Sequence, residues 1–421
     1  MPSSFKHIFT IAAARGYGTL VSLITLIVSA RYLGPEGRGI FIAAIAWVAT
    51  FCTIFHLSIG PALQYRIQQN REAYTASAMM GTLLGLGLLA SLAAWMVAVL
   101  GFTLTNGDLF KGLSIEVLVL AFAALPLLMW EQYAPNIYSS LSRMSLINRA
   151  QYIGRTLGVV AFVVLVAWLQ FGVKGACIAM FITQAIIVLT SLVPMMRSIK
   201  WKPVWLSAEV KPLLVTGMKL HLGSVSALLL DQASILIANN YLSKTEVGLF
   251  QLPLQLVSLM LILPQSALMI LYGDMAKSDP ARCWPHQRKV ILGVMGCVLL
   301  LALVGWVLAT YLIPLVAGEQ FKPSVPMFAT LLPSLLGMSL SILLTPQWLG
   351  RGLFMLSNMV ACITLMIVVA GTFWAVPRYG IDGAIWVRVA VYAVILPLVL
   401  LLFWRWCSKQ SNSLIAAMPE K

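Results

Sequence analysis

The sequence predicts an all-α, polytopic membrane protein of about twelve transmembrane helices in two pseudo-symmetric six-helix halves. Three observations predict it. The 421 residues are 60% hydrophobic and only 10% charged, with a mean hydropathy of +0.92. A soluble globule carries about 25% charged residues, and so few charges cannot cover a water-soluble surface of this size. The apolar residues fall in continuous runs of roughly 20 residues or more, the length a helix needs to cross the hydrocarbon core. Finally, two motifs recur at one nearly fixed offset, the mark of an internal repeat.

Lipid offers the backbone no hydrogen-bond partners, so spanning segments are helices or closed barrels. Barrel strands alternate apolar and polar residues, and these runs do not. The apolar-window criterion places spans at roughly 8–33, 39–63, 75–100, 114–138, 145–169, 174–196, 212–240, 246–272, 289–313, 325–347, 353–376 and 382–404. The first run is longer than the h-region of a cleaved signal and is read as the first membrane helix. Pro126, Pro253, Pro264, Pro314, Pro333, Pro346 and Pro397 fall inside spans and are expected to bend them. The six cysteines are scattered with no CxxC or Cys/His spacing, so neither disulfides nor a metal site is expected.

A net charge of +15 raises the question of nucleic acid, but its placement answers otherwise. With the N-terminus in the cytoplasm, 17 of the 28 basic residues fall on the cytoplasmic side, 7 outside and 4 within spans. That bias satisfies the positive-inside rule and puts both termini in the cytoplasm. The charge is a topology signal, and no nucleic-acid partner is expected.

The repeat is read from two motifs. Tyr32-Leu33 followed by Gly39-Ile40-Phe41 matches Tyr241-Leu242 followed by Gly248-Leu249-Phe250, at an offset of 209. Phe171-Gly172-Val173-Lys174-Gly175-Ala176 matches Tyr379-Gly380-Ile381-Asp382-Gly383-Ala384 at an offset of 208. Six spans per half give a parallel repeat about an axis along the membrane normal. The expected organisation is an N-terminal half (1–196), a cytoplasmic interfacial linker (197–211), a C-terminal half (212–404) and a cytoplasmic tail (405–421). In the linker, basic residues alternate with Trp201 and Trp205, a composition suited to the headgroup layer.

Charge inside the hydrocarbon region is costly and usually faces a cavity. The intramembrane bases are Arg15, Arg155, Lys219 and Arg388, the acids Glu131 and Asp231, and the histidines His56 and His221. Arg15, Gly18, Ser22, Thr25 and Ser29 share one helix face. Adding the offset maps that face onto Ser224, Ala227, Asp231, Ser234 and Ala238. Gln251, Gln255, Ser258 and Gln265 make a third polar stripe, and together the three predict a hydrated cleft between the halves. Arg15, Arg155 and Lys219 lie in the cytoplasmic part of their spans, a pattern suited to phosphate, which arginine holds with a planar fork. The candidate substrate-binding residues are Arg15, Arg155, Lys219, Ser22 and Gln255. Asp231 is the candidate coupling site for H+ or Na+, or a partner for a buried cation; no other cofactor is called for. Small and polar residues on membrane helices also serve as packing surfaces. Glu131 is read as an interfacial acid, and both histidines as packing residues rather than proton relays.

No GxxxxGK[ST], HExxH or GxSxG motif is present, and the gaps between spans are too short to fold a catalytic domain. The chain is therefore not expected to be an enzyme.

The segment Arg31-Tyr32-Leu33-Gly34-Pro35-Glu36-Gly37-Arg38-Gly39-Ile40-Phe41 resembles the [RY]-x-L-G-P-E-x-x-G-x-[FY] stretch of polysaccharide transporters. These include the O-antigen flippases, in the superfamily that also holds the multidrug MATE exporters and the lipid II flippase. The resemblance implies a MATE-like fold and a flippase carrying undecaprenyl-diphosphate-linked oligosaccharide from the cytoplasmic to the periplasmic face of the bacterial inner membrane. It further implies a cationic cavity, with Arg15 the residue most like a member of it. The implied partners are the lipid-linked oligosaccharide, membrane lipids and other polysaccharide assembly proteins. A cation-coupled multidrug exporter of the same fold is the alternative, favoured by acids rather than bases in the cavity. A membrane-embedded polymerase or ligase ranks third, because the outer loops are short.

Overall fold

A computed structural model describes the backbone of residues 2–69, 75–200, 202, 204–275 and 279–416. Within those ranges the side chains of 2–16, 68–69, 223–224, 227–228, 231, 269, 274, 354–357 and 410–416 lie outside the description. The described residues form fourteen α-helices and no strand. Nine spans among them are long and apolar enough to cross a membrane. Two of the nine, Tyr17–Ile67 and Asn358–Lys409, run for 51 and 52 residues, about twice what one crossing needs. Each contains a glycine in a non-helical conformation, Gly34 and Gly380, where the sequence expects two helices instead of one.

The chain divides into two compact units, Ile24–Gly248 and the combination of Met1–Leu23 with Leu249–Lys421. The first boundary falls within the first expected span and the second near the start of the eighth, and neither at the 197–211 linker.

In the first unit, α1 (Pro2–Phe55) is two rods joined at Gly34, with φ 66° and ψ −178°. Glycine takes this conformation at little cost. Pro35 then restarts the helix, its φ already helical and its missing N–H not needed in a first turn. Glu36 follows where the helix dipole favours an acid. The helix ends before His56. Leu57 and Ser58 have φ of 48° and 49°, and α2 (Ile59–Gln69) begins directly after. The span expected at 39–63 is therefore broken at 56–58, just before Gly60-Pro61 in the first turn of α2.

Thr75 caps α3 (Ala76–Leu104), and Ser114 caps α4 (Ile115–Ala123). Ala124 separates α4 from α5 (Leu125–Ser140), where Pro126 lies in the first turn. Next, α6 (Met144–Phe162) passes through a π-helical turn (Val163–Trp168) to α7 (Gly172–Ser198). A methyl added at Gly154 would lie 2.2 Å from Ile187, and one at Gly158 2.1 Å from Thr183. This small-xxx-small pair lets α7 pack closely on α6. The linker docks on α3: the Leu206 N–H donates to Thr82 Oγ1 at 3.0 Å, and Trp205 fills the space over Gly85. Trp201 lies outside the described residues. Helix α8 (Ser207–Tyr241) and the first turn of α9 (Lys244–Met260) complete the unit. Its core has an aromatic centre, Trp47, Phe51, Phe110 and Phe122, and a second cluster around Met80, Leu83, Tyr133 and Ile137.

The second unit continues α9 through Leu261 into α10 (Ile262–Met275), with Pro264 in the first turn of α10. Asp279 caps α11 (Pro280–Ala317), accepting the Ala281 N–H at 2.8 Å. Then follow α12 (Ser324–Gly350), α13 (Phe354–Val389), a π-helical turn (Ala390–Ile395) and α14 (Leu396–Ala416). Gln347 joins α12 to α11, donating to Gln287 Oε1 at 2.8 Å, while Gln287 donates to Leu271 O at 2.8 Å. Large apolar side chains of α11, among them Leu300, Trp306 and Val307, are exposed, as expected of a surface solvated by lipid.

Candidate functional site

Both repeated motifs have a structural reason. Pro35 and Lys244 are equivalent at the repeat offset, as are Gly39 and Gly248. A methyl at Gly39 would lie 1.8 Å from Lys244 O, and one at Gly248 1.9 Å from Pro35 O. The two helices thus cross backbone on backbone, each glycine facing the equivalent residue of the other. Their starts are built differently. Gly34-Pro35-Glu36 opens the first. The second opens on a capping box, in which Ser243 Oγ accepts the Glu246 N–H at 3.2 Å and Glu246 Oε2 accepts the Ser243 N–H at 2.9 Å. In the other motif, Gly172 and Gly380 share a left-handed φ of 57° and 59°. Gly175 and Gly383 both admit a neighbouring carbonyl, of Leu165 and Ala375, within 2.9 Å of where a methyl would sit.

Beside the glycine crossing lies a polar clasp. Lys244 Nζ donates to Lys111 O at 2.5 Å and to Asn239 Oδ1, and Asn239 Nδ2 donates to Lys111 O at 3.4 Å. Lys111 Nζ in turn donates to Asn240 O at 3.3 Å. Two lysines that the sequence places in separate outer loops are brought together, Lys244 on the carbonyl of Lys111 and Lys111 on that of Asn240.

About 24 Å along α1, at 1.5 Å per residue, the helix break makes a second junction. His56 is 7% exposed and accepts the Ser58 N–H on Nδ1 at 2.8 Å. The Tyr133 hydroxyl donates to His56 O at 3.0 Å. From α8, His221 places Nδ1 3.2 Å from Ser58 Oγ and Nε2 3.0 Å from Ile54 O. The two imidazoles meet edge to face at 5.3 Å between centroids. Gly217 allows the approach, since a methyl there would lie 2.4 Å from Leu57 O. Two successive non-glycine residues at positive φ cost of order 1 kcal/mol or more each, and this set of contacts holds them. About two turns into α2, Arg66 forms an ion pair with Glu209 of α8 at 2.8 Å.

The expected site residues are distributed as follows. Arg15 is helical, in α1, and its side chain is outside the description, as are those of Asp231 and Ser224 in α8. Ser22 is half-buried in α1. Arg155 on α6 and Lys219 on α8 are exposed. Gln255 on α9 is half-buried and accepts from Gln251 at 3.4 Å. Glu131 is half-buried and accepts from Gln151 at 2.7 Å. Ser29, on the Arg15 face, is occupied: it accepts from Arg38 Nη1 at 2.6 Å, and Arg38 also reaches Leu26 O at 3.2 Å. Arg38 is only 1% exposed, where the sequence expects a loop cation, because the turn at Gly34 folds it back over the helix just left. Arg388 is 3% exposed, stacked over Tyr392 at 5.2 Å, and its Nε and Nη1 have no hydrogen-bond partner among the described residues. No group of three or more metal-ligating side chains occurs among the described residues.

Solved structures share this fold at low identity. An inward-facing multidrug resistance MATE family transporter of the MOP superfamily matches with a TM-score of 0.69 and 15% identity, covering 94% of this chain and 95% of that one. The lipid II flippase MurJ in an inward closed conformation matches with a TM-score of 0.73 and 12% identity, covering 98% and 93%. The Vibrio cholerae MATE transporter VcmN, as a point mutant, matches with a TM-score of 0.61 and 16% identity, covering 96% and 97%. These likenesses establish a MATE-like, polytopic α-helical membrane fold. A search of curated proteins by sequence finds no match. The family model described as polysaccharide biosynthesis protein matches residues 4–278. That is well over half of the chain, and it includes both copies of the crossing motif at Gly39 and Gly248; the chain belongs to the polysaccharide biosynthesis protein family.

Proposed function

We propose that the protein is a flippase for lipid-linked oligosaccharide, moving an undecaprenyl-diphosphate-linked repeat unit from the cytoplasmic to the periplasmic face of the bacterial inner membrane. The observation that carries this reading is a double affiliation. The chain belongs to a polysaccharide biosynthesis family while having the fold of exporters and of a lipid II flippase. A membrane protein that serves polysaccharide assembly through a transporter fold has a lipid-borne saccharide as its natural cargo. Arg15, Arg155 and Lys219 are assigned to the diphosphate, and Ser22 and Gln255 to the glycan's polar groups. Alternating access follows from rocking one six-helix half against the other. Asp231 is the candidate site for a coupling H+ or Na+. Membrane lipids and other polysaccharide assembly proteins are the expected partners, and no chemical step is assigned to the chain.

Deleting the gene and assaying surface polysaccharide together with lipid-linked oligosaccharide tests this. The reading predicts missing surface glycan with the precursor trapped on the cytoplasmic face, restored by the wild type and not by Arg15→Ala. The second reading, a cation-coupled multidrug exporter, draws on the MATE matches. Unchanged glycan with new drug sensitivity would replace the first reading by the second.

A further inference from the structure

The junction at the α1–α2 break holds two imidazoles whose hydrogen-bond partners fix their protonation. Ile54 O can only accept, so His221 Nε2, 3.0 Å away, carries a hydrogen. The Ser58 backbone N–H can only donate, so His56 Nδ1, 2.8 Å away, carries none. In the neutral state His221 Nδ1 accepts from the Ser58 hydroxyl at 3.2 Å. Each ring therefore has its basic nitrogen at Nδ1, and both of these nitrogens face Ser58.

The two nitrogens are not equivalent as proton acceptors. A proton taken from water onto His221 Nδ1 turns that nitrogen into a donor. Ser58 Oγ, a hydroxyl that accepts as well as donates, can receive that hydrogen, and a charge-assisted bond replaces a neutral one. A proton on His56 Nδ1 would point at the Ser58 N–H, which cannot turn round. Taking it up means breaking the bond that holds Ser58 at its positive φ. The rings touch at 5.3 Å, so charging one also opposes charging the other.

We infer that His56, Ser58 and His221 form a binding site for a single proton, seated on His221 Nδ1 and excluded from His56. The neighbours leave this assignment intact. From α1, Cys52 is buried; from α5, Tyr133 donates to His56 O, and Glu131 accepts from Gln151. From α2, Arg66 is paired with Glu209 of α8, and Lys219 of α8 is exposed. Among the described residues no carboxylate is hydrogen-bonded to either imidazole. Placed where α8 meets the broken helix, the site is positioned to make that junction respond to proton uptake. Only the use of the proton, to drive transport, rests on the flippase reading.

The test is ¹⁵N NMR of the histidine rings in the full-length protein in lipid nanodiscs, followed from alkaline to acidic pH. The chain has four histidines, so His56→Gln and His221→Gln assign the pair. At alkaline pH both rings should show the Nε2–H tautomer. On acidification His221 Nδ1 alone should become protonated, and in His221→Gln no proton should move to His56. Protonation of His56 first, of both rings together, or an Nδ1–H tautomer on either ring at alkaline pH, would overturn the assignment. In proteoliposomes holding lipid-linked oligosaccharide, a pH gradient should speed flipping at least threefold for wild type and not for His221→Gln. Gradient-independent flipping by wild type would overturn the coupling role. Absence of flipping altogether would count against the flippase reading and leave the NMR result standing.

Discussion

The two junctions that tie α1 and α2 to α8 and α9 are made of opposite materials. At the Gly39–Gly248 crossing the contact is carbonyl against glycine, with no side chain between the helices. At the His56–His221 junction a glycine–carbonyl contact, Gly217 on Leu57 O, is joined by side chains: two rings, a hydroxyl, and the Tyr133 phenol on a carbonyl. A backbone crossing has no rotamers and no titratable group, so it tolerates rotation about the contact but no change in separation. A side-chain junction can be rewired by one hydroxyl rotation. The difference separates a fixed backbone contact from a joint that can be reset, both within the unit Ile24–Gly248.

The crossing should break hardest. In Gly248→Val the first added carbon lands 1.9 Å from Pro35 O, and overpacking a tight contact costs about 1–3 kcal/mol. Complementation of glycan export should fall at least tenfold with the protein still present in the membrane. Gly293→Val, where the added carbon meets nothing within 4 Å, should stay within about twofold of wild type, as expected for a substitution that touches no such feature. Because Gly39 and Gly248 form one contact, Gly39→Ala combined with Gly248→Ala should lose clearly less than the sum of the singles, read as thermal stability in detergent. Additive losses would mean two separate contacts.

The joint should yield by smaller steps. Tyr133→Phe removes a buried donor to His56 O and should cost about 1 kcal/mol or somewhat more, measured by denaturation in mixed micelles. Arg66→Gln removes a partly exposed ion pair with Glu209 and should cost about 1 kcal/mol or less. A large loss from Arg66→Gln beside a silent Tyr133→Phe would move the weight of the joint from the break to the ion pair.

The helical membrane fold was legible because its signal is additive over long runs. The repeat was legible because Gly39 and Gly248 are required twice for one reason. Why they are required was not, since nothing in a single strand of sequence says that position 35 meets position 248. The break at 56–58 is held by contacts from α5 and α8; its one local signal is Gly60-Pro61 in the first turn of α2, which an unbroken span over 39–63 passes over. The pairing of His56 with His221 spans 165 positions, and each ring read alone is a packing residue. Arg38 was misplaced as a loop cation for a related reason: its partners Ser29 and Leu26 lie across the Gly34 turn, in a helix that propensity treats as finished. By contrast, the Gly154–Gly158 spacing was present in the sequence and could have pointed to the α6–α7 contact. Arg155 lies beside this pair and is exposed.

The most direct test of the central claim is reconstitution. Purified protein in proteoliposomes with lipid-linked oligosaccharide, probed by a glycan-modifying enzyme added only outside, reports movement between leaflets with no other assembly protein present. With wild type the enzyme should consume nearly all of the lipid-linked glycan, and with Arg15→Ala or empty vesicles only the outer-leaflet share. Protection of the inner-leaflet share with correctly folded wild-type protein would contradict it.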